Sequence, residues 1–164
     1  MGLWLIIMKI KQASDLFATV ENQAVVKHLN WIDAATDLPH AKGVYILAMQ
    51  LSSEVTLDIG KLGAHTLPAS IYFYVGSARG AGGLYSRVRR HWRNDESKAK
   101  RWHIDYLRTP MQMLGCWVAV DASDPIEECA LAKLLASHPS LSTFVQVGSS
   151  DCRCASHVFY LSSA

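Results

Sequence analysis

The sequence predicts one mixed α/β (α+β) domain, and three observations carry that expectation. Val44 to Leu51 and Ile71 to Val75 have the composition of buried strands, while Leu84 to Trp92 repeats its apolar residues at helical spacing. A further strand-like stretch, Met113 to Val120, runs into a helix-start signal at Asp124-Pro125-Ile126-Glu127. With 164 residues, half of them hydrophobic, the chain suffices for one well-packed domain and is short for two.

The elements follow in order. Met1 to Met8 is apolar for only about one strand length, with no basic region before it and no small-residue cleavage site after it, so neither export nor a membrane span is expected. Residues 14–29 place Leu16, Phe17, Val20, Ala24 and Leu29 near helical spacing behind Ser14 as a cap. Residues 1–40 thus read as an extension of one strand and one amphipathic helix, ahead of the main domain at 41–164. Pro39 to Gly43 breaks the chain before the strand at Val44. Residues 52–63 read as a return strand with Gly60 and Gly63 at turns. Alternation in Ile71 to Val75 puts Ile71, Phe73 and Val75 on one face, and Tyr72 and Tyr74 on the other, away from the core aliphatics.

After the glycine-rich crossing Gly76 to Gly83, a helix is expected with Leu84, Tyr85, Val88 and Trp92 as its apolar stripe and Arg87 and His91 one turn apart on its edge. A glycine-rich turn before a helix favours anions, but its spacing matches neither common nucleotide-binding pattern. In the later helix, Asp124 caps, Pro125 takes the first helical position and Glu127 reaches back. Glu128 then falls among Leu131, Ala132 and Leu135, where a carboxylate needs a partner. That partner is either a divalent cation such as Mg²⁺ or, as the residues alone favour, one of the arginines.

Charge is unevenly spread. From Arg79 to Arg108 nine basic residues face three acidic ones, giving +6, and the chain's net +2 leaves −4 for the remainder. Arg79, Arg89, Arg90, Arg93, Lys98, Lys100 and Arg101, interleaved with Trp92, Trp102 and Tyr106, make a surface suited to a polyphosphate partner; the alternative is a solvated basic helix. The four cysteines, at 116, 129, 152 and 154, fit a reducing cytoplasm better than a secreted disulfide framework.

The order Gly43-Val44-Tyr45, Tyr74-Val75-Gly76, Leu84-x-x-Arg87-x-x-x-His91 and a helical Glu128 resembles the GIY-YIG nuclease superfamily. It is most similar to a branch sometimes fused to endonuclease III-type DNA repair glycosylases. The branch's marks are Tyr74 to Ala78, Arg90-His91, Trp102 to Leu107, Glu128-Cys129 and the stretch Gly148 to Tyr160 with its Asp151-Cys152-x-Cys154-x-x-His157 core. The match covers about residues 42–161.

The resemblance implies a small antiparallel central sheet flanked by helices and a hydrolase that cuts phosphodiesters, DNA in processing or repair, with one Mg²⁺ or Mn²⁺. It implies that Glu128 holds the metal, Arg87 faces the scissile phosphate, Tyr45 acts as general base or positions the water, Tyr74 orients water or phosphate, and His91 assists. It also makes a DNA repair glycosylase a candidate partner. Tyr45 and Tyr74 are 29 positions apart, farther than in typical members, so a hairpin inserted at about 51–70 is expected. The asparagine common near the end of such modules has no counterpart; Ser149-Ser150-Asp151 stands there. The alternative function is a catalytically silent DNA-binding module that positions a repair partner, and a third is a zinc-stabilised interaction domain.

A secondary site is read from His103, Asp105, Asp151, Cys152, Cys154 and His157. Thiolate and imidazole suit Zn²⁺, yet Cys-x-Cys is not the usual knuckle spacing, and completion needs Cys129 or His103 from elsewhere. The preferred expectation is a packed thiol-rich turn held by Asp151 and Ser150 hydrogen bonds, with structural Zn²⁺ second.

Overall fold

The computed structural model describes residues 23–95, 97–149 and 151–162. The strand expected at residues 1–8 and the expected helix as far as residue 22 lie outside them, and Gln23–Val26 (α1) is helical. The other elements are β1 (Asn30–Ile32), β2 (Gly43–Leu51), β3 (Val55–Asp58), β4 (Ala64–Leu67), β5 (Ser70–Ala78), α2 (Gly83–Trp92), α3 (His103–Arg108), β6 (Gln112–Val120), α4 (Glu128–Ala136), β7 (Leu141–Thr143) and β8 (Val158–Leu161).

Six strands form one antiparallel sheet in the order β1-β6-β2-β5-β8-β7, and β3 and β4 pair as a separate hairpin between β2 and β5. The molecule is therefore a mixed α+β fold on an antiparallel central sheet. β1 belongs to the segment ahead of residue 41 and still joins this sheet through β6. The central pair, β2 and β5, runs unbroken from Gly43 opposite Ala78 to Leu51 opposite Ser70. The intervening residues are extruded without disturbing the register, so Tyr45 stands opposite Gly76 and Leu47 opposite Tyr74 despite the long separation.

Both faces of the sheet are covered, which explains why β2 is apolar along its whole length rather than alternating. Val44, Ile46, Ile71, Phe73 and Val75 pack with Leu131, Ala132 and Leu135 of α4. Tyr45, Leu47, Met49 and Tyr72 pack on the other face with Leu84 and Val88 of α2 and Ile104 and Leu107 of α3. The expectation that Tyr72 and Tyr74 point away from the core is corrected by this second layer: Tyr72 is fully buried and Tyr74 half-buried. The hairpin joins the same core, since Ile59 and Leu67 are fully buried in it.

The helix expected from Asp124 begins at Glu128 instead, with Glu127 as its N-cap residue. Arg79 accounts for the delay. Its guanidinium grips both oxygens of Asp121 at 2.9 and 3.2 Å, the Ile126 carbonyl at 2.8 Å and the Glu127 carboxylate at 3.3 Å. These contacts hold 121–127 against the end of β5 and outweigh the local capping box. Among the described residues no helix is long and apolar enough to cross a membrane.

Candidate functional site

The start of β2 and the end of β5 meet at one end of the sheet, and an open cleft of ≈ 470 Å³ lies there. β2 contributes Tyr45, β5 contributes Tyr74, Gly76 and Ser77, and α2 contributes Arg87 and His91. Trp102 and His103 line it from the start of α3, Glu128 from the first turn of α4, and Gly148 and Asp151 from the chain before β8.

Tyr45 is the most constrained of these side chains. Its ring crosses Gly76 so closely that a Cβ there would fall 2.4 Å from the phenol. Its hydroxyl lies 3.0 Å from Nε2 of His91, and both residues are buried. Burial, then the neighbouring Tyr74, pushes the Tyr45 phenol well above its usual range, with the Arg87 charge acting the other way. Tyr74 is raised likewise, first by burial and then by Glu128. Burial and then the Lys98 charge push His91 down to about 3. The pair is thus a protonated tyrosine against a neutral imidazole, and an uncatalysed transfer between them runs uphill.

Arg87 has no carboxylate partner among the described residues, and its guanidinium stacks on Trp102 at 4.6 Å. Arg90 lies 4.3 Å from the same indole, so two arginines stack on one ring. Trp102, expected as one of the aromatics of the basic surface and as the start of the stretch Trp102 to Leu107, lines the cleft itself.

The remaining cations divide into two groups. Arg90 forks onto Asp105 with two bonds of 2.8 Å, and Lys98 reaches the same carboxylate at 3.1 Å. The backbone amides of Arg101 and Trp102 complete its shell, so Asp105 is a structural clamp between α2 and α3. Burial raises the Asp105 carboxyl, but these partners outweigh it and hold it far below the usual range. Arg79 is engaged with Asp121 and Arg93 with Asp95. Arg89, Lys100 and Arg101 are exposed and make no ion pair among the described residues. The helix-start amides of α2 take no anion, because Gly83, Leu84 and Tyr85 donate to Gly80, Ala41 and Pro39 carbonyls.

Oε1 of Glu128 lies 2.8 Å from Nδ1 of His157. Burial raises its carboxyl, but contacts with His157 and Ser77 outweigh this and lower it. Glu128 and Asp151 both line the cleft, and carboxylate oxygens are the donor type that a hard cation takes.

Behind Glu128, Cys129, Cys152, Cys154 and His157 bring one ligand atom each within 4.8 Å of one another. Cys129 completes this group; His103, Asp105 and Asp151 do not belong to it. Of the two residues expected to complete the set from elsewhere, Cys129 arrives across 23 positions of sequence and His103 does not.

Fold and cleft define a small antiparallel α+β domain with a polar, tyrosine-lined site at one end of its two central strands. The chain belongs to the domain family of unknown function DUF123, whose model matches residues 44–164. No curated protein and no solved structure gives a significant match.

Proposed function

We propose that the cleft is the hydrolytic site of a metal-dependent endonuclease of the GIY-YIG type, acting on nucleic acid, with DNA processing or repair as its setting. The observation that carries this reading is convergence: Tyr45, Tyr74, Arg87, His91 and Glu128, from four different elements, line one cleft.

Hydrolysis adds water across a P–O bond, so such a site must hold the phosphate, aim the water and relieve charge on the leaving oxygen. Arg87 holds the phosphate: its planar fork suits two oxygens, and the Trp102 stack orients it without neutralising it. Tyr45, pinned by Gly76 and His91, orients the attacking water through its hydroxyl. Its raised phenol makes it a poor base in the resting protein, and the nearby Arg87 charge favours loss of its proton. Tyr74, on the same face, positions water or a phosphate oxygen. Glu128 would hold Mg²⁺ or Mn²⁺, which supplies Lewis acidity and stabilises the leaving oxygen. Arg89, Lys100 and Arg101 supply free positive charge for the strand on either side.

Single-turnover cleavage of labelled single-stranded, duplex, flap and junction DNA, with Mg²⁺, Mn²⁺ or EDTA, tests the proposal. Metal-dependent nicking of at least one substrate is expected. Binding without cleavage on every substrate would instead make the chain a silent DNA-binding module.

A further inference from the structure

We propose that Cys129, Cys152, Cys154 and His157 bind one zinc ion in a closed tetrahedral centre, and that this centre positions Glu128. The positioning half rests on the nuclease reading of Glu128; the zinc half does not.

Geometry carries the first half. Three thiols and one imidazole converge within 4.8 Å, from the first turn of α4 and from the chain entering β8. Sγ of Cys152 and Nε2 of His157 are 3.4 Å apart. A tetrahedral zinc, with its usual bonds to sulfur and nitrogen, separates such a pair by about 3.6 Å. No carboxylate belongs to the group, and a set of three soft thiolates with one imidazole selects zinc over magnesium, calcium or manganese. Three cysteines with one histidine fill all four positions, the pattern of a structural rather than a catalytic zinc.

The chain around the cluster gives it a task. Residues 144–157 contain no helix or strand among those described, a length at which loops without internal structure are uncommon. A cross-link from Cys152, Cys154 and His157 to Cys129 fastens this loop to α4. Gly148, which lines the cleft from that loop, has a φ of +73° and packs against Tyr74 and His157.

The second half follows from the two nitrogens of His157. A metal on Nε2 leaves the proton on Nδ1, the atom 2.8 Å from Oε1 of Glu128. Cys129 is bonded to Glu128 through the backbone. Zinc therefore restrains the carboxylate from both directions, with His157 as the positioning residue.

The test is elemental analysis of the full, untagged chain purified under reducing conditions, followed by mercurial titration and cobalt substitution. One zinc per chain is expected, released as the mercurial blocks the cysteines, and absent from Cys152→Ser and Cys154→Ser but retained in Cys116→Ala. Because the serine variants can fail to fold, cobalt reconstitution of the wild type supplies the second reading: thiolate-to-cobalt charge transfer with tetrahedral ligand-field bands. Folded protein with no stoichiometric zinc after reconstitution, or a disulfide among Cys129, Cys152 and Cys154 found by alkylation and mass spectrometry, overturns the proposal. These readouts need no substrate, so they stand whether or not the chain cuts DNA. For positioning, zinc removal should lower cleavage about 10- to 100-fold while DNA binding persists, and added Zn²⁺ should restore it. Unchanged cleavage by the zinc-free folded protein would leave the metal site and remove its link to Glu128.

Discussion

Tyr45 has almost no freedom in this site: one neighbour forbids a Cβ and another takes its hydroxyl. Gly76→Ala must move the phenol, because its new Cβ would sit 2.4 Å from the ring. The expected cost is about 1–3 kcal/mol in urea unfolding, together with slowed cleavage; unchanged values for both would show that the ring is free to shift. Tyr45→Phe leaves Nε2 of His91 unpaired in a buried site, at a cost of about 1–3 kcal/mol, so its activity has to be read on protein shown to be folded. These residues were legible because glycine and tyrosine recur beside each other in strand-like runs. The role of Trp102 was not, since nothing local says that an indole will stack on Arg87, and the choice between Cys129 and His103 as the residue that meets the Cys-x-Cys turn needed the fold.

Among the elements, α2 and α3 are joined through one buried carboxylate. Asp105 has a fully buried side chain shared by Arg90 and Lys98, so Asp105→Ala should cost about 3–5 kcal/mol by stranding their charge. Its carboxyl is lower in the folded state than in the unfolded one. Its stabilisation is therefore complete above the unfolded value of about 4 and fades as pH falls toward the folded value. Stability of wild type and Asp105→Asn should converge on acidification; a constant gap down to pH 2 would contradict the clamp. The inserted hairpin makes a different claim. Ile59→Ala should cost about 2–5 kcal/mol, because this fully buried side chain belongs to the core under β2; a loss below about 1 kcal/mol would make the hairpin an appendage. Strand β2, strand β6 and helix α2 followed the apolar pattern closely. Helix α4 did not, because a long-range arginine overrode a sound local signal at Asp124 to Glu127. The hydrophobic pattern also left open the strand order and the second packed layer over Tyr72.

At the scale of the whole molecule, a sheet covered on both faces leaves one end for chemistry, and the basic segment lies beside it. Four of that segment's nine cations, Arg79, Arg90, Arg93 and Lys98, are held in ion pairs and Arg108 is buried against backbone carbonyls, which the +6 total does not reveal. Lys100→Ala and Arg101→Ala should each lower the salt slope of DNA binding by about 1, whereas Arg79→Ala should change stability and leave the slope alone. Equal slopes in all three variants would mean that the patch does not meet the backbone.

If this end of the sheet hydrolyses phosphodiesters through a metal held by Glu128, Glu128→Gln is the decisive variant. Single-turnover cleavage and DNA affinity of this variant and the wild type would be measured side by side in Mg²⁺. The variant's rate should be at least about 10²- to 10³-fold lower with affinity nearly unchanged. Equal cleavage by both proteins would contradict that reading.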